Sequence, residues 1–116
     1  MSYLLSTSGE IALARGDLDE AEKLFNEGLA IAREVPIAER IAVHTANLGL
    51  VAIRRGQDEQ ARARLREALT QAEALGGGHL SVRIRLWLAP LVPPDEAADL
   101  LLGLAMIFTG VRHFRH

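Results

Sequence analysis

The amino-acid sequence predicts an all-α fold, a solenoid of antiparallel helix pairs about three pairs long, in which the third pair is degenerate. Apolar residues recur at helical spacing along most of the chain. Small and apolar residues also return at one fixed interval, which is the mark of an internal repeat. The recurring pairs are Gly9 and Gly49, Gly16 and Gly56, Ala21 and Ala61, and Leu29 and Leu69, each 40 positions apart.

Composition agrees with this fold and narrows the functional classes. With 116 residues the chain has the length of one domain, which we assign to residues 1–116. It contains no cysteine, which excludes disulfides and thiolate chemistry. A net charge of −2 disfavours general nucleic-acid binding. Neither a signal peptide nor an apolar run long enough to cross a bilayer is visible, so a cytoplasmic protein is expected.

The first two helix pairs follow from apolar stripes. Helices are predicted over residues 1–15 and 17–34, and then over 37–55 and 58–75, because Pro36 and the glycine run 76–78 interrupt the pattern. The positions expected to face inward in these four helices are Leu5, Gly9, Ala12, Leu13, Ala21, Leu24, Phe25, Gly28, Leu29, Ala32, Ala61, Leu65, Ala68, Leu69 and Ala72.

Two glycines in each pair have separate expected roles. A glycine inside a helix costs about 1 kcal/mol relative to alanine, so Gly9 and its counterpart Gly49 indicate a close crossing of two helices. Gly16 and its counterpart Gly56 stand where a helix end favours a positive φ. A short polar residue, Asp17 in the first copy and Asp58 in the second, lies near the start of the next helix.

The third pair is less regular. Leu80, Ile84, Trp87, Leu88 and Leu91 keep helical spacing, although alternate residues from 82 to 88 are also compatible with a strand. The repeat context favours a helix, which prolines 90, 93 and 94 end. A last helix is then predicted over residues 95–112, because Asp-Glu-Ala at 95–97 repeats the same triplet at 19–21.

That last helix is apolar on every side. Solenoids usually close with a polar capping helix, and a helix apolar all round needs cover all round. Three covers are conceivable: a second copy of the chain, a following repeat, or the groove of the same molecule. We expect self-association as a homodimer, through Leu101, Leu104, Ile107, Phe108 and Val111.

The two regular copies resemble the tetratricopeptide repeat family. The residues that carry the resemblance are Leu48, Gly49, Ala52, Gly56, Ala61, Leu65 and Ala68, with Gly9, Ala12, Gly16, Ala21, Phe25 and Gly28 in the first copy. The interval of 40 exceeds the usual 34. Long repeats of this kind are similar to the arrays of large bacterial ATP-dependent transcription activators. The repeats would then span about 1–36, 37–76 and 79–112.

The resemblance implies that the first helix of each pair lines a concave groove for a protein partner. Carried over onto this sequence, the groove positions are Tyr3, Ser6, Glu10, Leu13, Val43, Ala46, Asn47, Leu50, Ile53 and Arg54. Such a groove is mostly apolar and suits an amphipathic helix or an extended peptide. Some members of the family grip a carboxylate with lysine and asparagine, but Ser6 and Glu10 do not match that arrangement.

Catalysis has little support in the sequence. His113 and His116 are three positions apart, without further ligands nearby, so neither a metal nor another cofactor is expected. The glycine run 76–78 lacks the lysine of a phosphate loop. The arginines between positions 54 and 66 are interleaved with Glu59, Glu67 and Glu73 and have no aromatic platform beside them, which indicates a solvated helix face more than a nucleic-acid site.

These observations leave three functional hypotheses. The first is a non-catalytic protein–protein interaction module that binds a helix or peptide and self-associates. The second is a regulatory fragment of a larger bacterial transcription activator that senses an inducer or a partner protein. The third, a small metal- or nucleotide-dependent enzyme, requires a constellation of residues that the sequence does not contain.

Overall fold

Six α-helices and one short 3₁₀ helix form the fold of this computed structural model, which describes the backbone of residues 2–109 and the side chains of residues 4–103. The helices are α1 (Ser2–Ala14), α2 (Leu18–Glu34), α3 (Ala38–Arg54), α4 (Asp58–Ala74), α5 (Gly78–Leu88) and α6 (Pro94–Thr109), with the 3₁₀ helix at Ala89–Leu91.

The helices pack as sequential antiparallel pairs, α1 with α2, α3 with α4 and α5 with α6. Helix α3 also packs on α2, and α5 on α4, so that consecutive pairs stack. The predicted all-α solenoid is therefore confirmed. Residues 78–88, where helical and strand patterns competed, form a helix, because stacking on α4 buries Ser81, Ile84 and Leu88 together.

The glycines predicted to mark close crossings do so. A Cβ atom placed on Gly9 would lie 2.5 Å from Cε1 of Phe25, and one on Gly49 would lie 2.8 Å from Cδ2 of Leu65. Phe25 and Leu65 are fully buried. In each of these two pairs, a large side chain of the second helix therefore packs directly against the backbone of a glycine in the first helix.

The two turns inside the regular pairs share one geometry. Gly16 has φ 81° and Gly56 has φ 74°, as expected of glycines that end a helix. Asp17 caps α2, because its side chain accepts a hydrogen bond of 3.2 Å from the backbone N–H of Glu20. The second copy differs: α4 begins at Asp58 itself, and no side chain caps it.

The junction between the first two pairs is close-packed and charged. The imidazole of His44 in α3 is fully buried and lies over Gly28 of α2, where a Cβ atom would come within 2.3 Å of it. At the far end of α3, the guanidinium of Arg55 binds Asp19 at 2.7 Å and Glu22 at 3.1 Å. The Asp19 hydrogen bond raises the pKa of Arg55 above its usual value.

The buried apolar residues form two clusters that follow the stack. The first joins α1, α2 and α3 and contains Ala12, Leu13, Ala21, Phe25, Leu29, Leu48 and Val51. The second joins α3, α4, α5 and α6 and contains Ala46, Leu65, Ala68, Ala72, Ile84, Leu88 and Leu100. Helix α3 contributes to both clusters, so it couples the two halves of the molecule.

The third pair is held by an arginine. Arg85 of α5 donates to the carbonyl oxygen of Leu100 in α6 at 3.3 Å and to Oγ of Ser81 at 3.4 Å, and it forms an ion pair with Glu73 of α4. A Cβ atom on Gly103 would lie 2.5 Å from this guanidinium. One side chain thus connects three helices.

Arg85 stands where the regular pairs have a glycine. Ala97 corresponds to Ala61, 36 positions earlier, and the same offset relates Arg85 to Gly49. The long side chain of Arg85 lies where the two helices of a regular pair cross at a glycine, and α6 packs on α5 in a different register. It buries Leu100, while Leu101, the residue four positions after Ala97, is 45% exposed.

Candidate partner-binding surfaces

The predicted groove residues divide into a buried and an accessible set. Ser6, Leu13, Ala46 and Asn47 are buried in the packing between helices, each at most 6% exposed. Glu10 and Arg54 are exposed, and Val43, Leu50 and Ile53 are half-buried. The side chain of Tyr3 lies outside the described residues.

The accessible side chains differ in how far they are exposed and do not form one continuous surface. Leu50 packs against the first core cluster and Ile53 against the second, so each presents only part of its side chain. Val43, in contrast, lines a cavity. The nearest approach to a groove among the described residues is therefore the surface around Val43.

This cavity lies between α3 and α5, the first helices of the second and third pairs. It has a volume of about 350 Å³. Its walls are Glu39, Arg40, Val43, Ala72, Leu75, Gly77, Gly78, His79, Leu80 and Arg83. The floor is apolar, while the rim carries charges of both signs.

Two arginines define the electrostatics of the α3–α5 cavity. Arg40 is paired with Glu39 at 3.2 Å, and its side chain is 20% exposed. Arg83 is exposed and lies 5.7 Å above the ring of Trp87, at a distance typical of a cation–π contact. Sequence reasoning missed this cavity, because its α5 wall belongs to the degenerate copy, for which no groove positions were assigned.

The predicted self-association surface is described only at its beginning. Leu101 is 45% exposed, and its neighbour Leu102 is 50% exposed, beside exposed Asp95 and Asp99. The side chains of Leu104, Ile107 and Phe108 lie outside the described residues, as does the whole of Val111.

A second exposed stripe, at the other end of the stack, was not anticipated. Leu4, Ser8, Ile11 and Arg15 follow one face of α1, and Leu4 and Ile11 are 62% and 50% exposed. We call these four residues the N-terminal stripe. A partial signal was present in the repeat, since Arg15 recurs as Arg55 and Ile11 has its counterpart in Val51, while Leu4 and Ser8 correspond to His44 and Leu48.

The described residues hold no arrangement that suggests chemistry. Among them, no group of three histidine, cysteine, aspartate or glutamate side chains converges as a metal site would require. His113 and His116 lie outside the described part of the chain. Of the helices that the structure describes, none combines the length and apolarity needed to traverse a bilayer.

Comparison with known proteins agrees with the helix-pair geometry. A tetratricopeptide repeat family model matches residues 1–74, more than half of the chain. The match covers α1 to α4 and offers no support for the activator subtype. The comparison with curated proteins found no match, and neither did that with solved structures.

Proposed function

We propose that this chain, which belongs to the tetratricopeptide repeat family, is a non-catalytic module that binds a helix or extended peptide of a partner protein. The observation that carries the proposal is the α3–α5 cavity, which lies between the first helices of adjacent pairs and includes Val43 of the predicted groove. The family match supports a protein partner in general.

The chemistry of the cavity favours an amphipathic ligand. Ala72, Leu75 and Leu80 offer an apolar floor to one or two side chains of a peptide. Arg83 at the rim is exposed and can pair with an acidic group of the ligand. A helical segment with an apolar stripe next to a carboxylate therefore fits best.

We further propose that the chain self-associates through the exposed face of α6. Leu101 and Leu102 support this, because two adjacent leucines on a terminal helix leave an apolar patch facing solvent. A homodimer is the smallest assembly in which a second copy covers the α6 patch of one chain.

Peptide binding can be tested without knowing the partner. Peptides selected from a random display library against the tag-free chain would be titrated against the wild type and two variants, Val43→Asp and Arg83→Glu. We expect at least tenfold weaker binding of acidic amphipathic peptides to both variants. The control is Ala63→Asp, which introduces the same side chain as Val43→Asp at an exposed position of α4 away from the cavity.

Circular dichroism would establish that each variant is folded. Because Val43 is half-buried and Arg83 is exposed, the second variant keeps the test decisive if the first loses stability. Selected peptides that bind both variants as tightly as the wild type would refute the groove assignment.

A further inference from the structure

The two ends of the stack can be compared with a junction inside it. In α3 the residues His44, Leu48 and Val51 face α2 and are at most 6% exposed, and Arg55, directly after the helix, binds α2 as well. Their counterparts in α1 form the N-terminal stripe, which none of the described helices covers. The stripe therefore occupies the positions of a stacking face and is exposed in the described structure.

The space beside the N-terminal stripe also has a counterpart at the internal junction. Between α3, α4 and α2 a small cavity of about 40 Å³ is lined by Leu48, Val51, Ala52, Gln57, Gln60 and Arg64, and Glu22 of α2 closes it. The counterparts 40 positions earlier, Ser8, Ile11, Ala12, Asp17, Glu20 and Leu24, line a cavity of about 400 Å³. At the internal junction, α2 of the preceding pair fills most of this space. The equivalent space beside α1 is open.

The charges at the two ends are complementary. At the internal junction Arg55 of α3 binds Asp19 of α2. The counterpart of Arg55 at the open end is Arg15, which is exposed. The counterpart of Asp19 in the last helix is Asp95, within the repeated Asp-Glu-Ala triplet, and it is exposed as well.

We propose that the N-terminal stripe of one copy receives the exposed face of α6 from a second copy, head to tail. Leu4 and Ile11 would contact Leu101, which the register of α6 leaves exposed, and Arg15 would pair with Asp95, as Arg55 pairs with Asp19 within the chain. This inference rests on the proposed self-association through α6 and specifies its other half. Because the contact is heterologous, it does not close at two copies unless the rotation between them permits a ring.

Complementation of two blocked variants tests the arrangement. Ile11→Asp removes the receiving face and Leu101→Asp the inserted face, each at an exposed position that leaves the core intact. Light scattering of the wild type is expected to show a mass that rises with concentration beyond that of a dimer. Each variant alone is expected to remain monomeric, and an equal mixture is expected to form a complex of two chains and stop there.

Charge exchange adds a second readout. Arg15→Asp is expected to weaken association at least tenfold, and the double variant R15D/D95R is expected to recover most of that loss. Ala63→Asp serves again as the control, since it adds a carboxylate away from both ends and is expected to associate like the wild type.

Other results would overturn the head-to-tail contact. A wild type that stays monomeric at high micromolar concentration would exclude a second copy as the occupant. If Ile11→Asp keeps the wild-type mass while Leu101→Asp does not, α6 pairs with α6, and self-association survives without the N-terminal stripe. Peptide binding at the α3–α5 cavity is measured separately, so its failure would not be confused with either result.

Discussion

At the scale of single residues, the helices of each regular pair approach closely at a glycine, against which a large side chain packs. Phe25 rests on Gly9 and Leu65 on Gly49, at positions that correspond through the 40-residue interval. Gly28 plays a similar part between pairs, where the His44 ring occupies the space that a Cβ would need. These glycines are required by contact, while Gly16 and Gly56 are required by their positive φ.

Replacing a crossing glycine should therefore destabilise the fold, although alanine favours helices. For Gly9→Ala or Gly49→Ala we expect the free energy of unfolding to fall by about 2 kcal/mol, since overpacking against a buried side chain outweighs the roughly 1 kcal/mol gained in helix propensity. Urea denaturation followed by circular dichroism measures the change. Ser8→Ala, at an exposed position beside Gly9, is the control and should not destabilise.

A Gly9→Ala variant as stable as the wild type would contradict this account, because it would mean that α1 and α2 can separate at little cost. The roles of these glycines were predictable from the sequence alone. Two copies of the same spacing indicate a common geometry, and the size of Phe25 and Leu65 indicates what fills it. The contact between His44 and Gly28 was not predictable, because it joins different pairs and has no counterpart in the other copy.

At the scale of helices, the described side chains of α6, at positions 94–103, bury less than the corresponding parts of α2 and α4. Among the described side chains of α6, only Leu100 is buried. Arg85 compensates by joining α4, α5 and α6 with one guanidinium. Polar contacts through Arg85 thus help to hold the described part of α6, beside the buried Leu100.

Removing this arginine should loosen the last helix selectively. In Arg85→Ala we expect backbone amides of α6 to exchange with solvent about tenfold faster, because a charged hydrogen bond to the Leu100 carbonyl is lost. Hydrogen exchange followed by mass spectrometry resolves the helices. Arg83→Ala, which removes an exposed arginine of the same helix, is the control, and unchanged protection of α6 in Arg85→Ala would contradict the role assigned to Arg85.

The register of α6 shows where sequence reasoning stops. The Asp-Glu-Ala triplet correctly predicted a helix from residue 95 onward, and by alignment with the regular pairs Leu101 takes the position of the buried Phe25 and Leu65. The structure buries Leu100 instead. Spacing within α6 does not reveal such a shift, because the register also depends on side chains of other helices, such as Arg85, which contacts Leu100 and lies where the regular pairs have a glycine.

At the scale of the whole molecule, two core clusters share α3 and otherwise follow the stack. A solenoid of this kind is close to one-dimensional, so each pair contacts only its neighbours. A substitution that destabilises one end of the stack should therefore have little effect on the other end. The fold was predictable at this scale, since repeats predict stacking; the surfaces were not, because accessibility depends on which neighbour is present.

Ile84→Ala tests how local the stability is. Deleting most of a fully buried side chain should cost about 3 kcal/mol, and the loss should appear as faster amide exchange in α5 and α6, with α1 and α2 little affected. Leu29→Ala in the first cluster is the matched variant and should show the opposite distribution. Equal acceleration in all helices for both variants would mean that the chain unfolds as a single cooperative unit.

Because the central helices are equally long, the turns that connect them lie on two opposite edges of the stack. Helices α2, α3 and α4 each contain 17 residues, so each is about 25 Å long. Antiparallel packing then places the turns at Gly16 and Gly56 on one edge and those at Pro36 and Gly76 on the other. Fluorescent dyes attached near Gln57 and near Gly76 would sit about one helix length apart, and each edge could be labelled, or extended by an inserted loop, without disturbing the other.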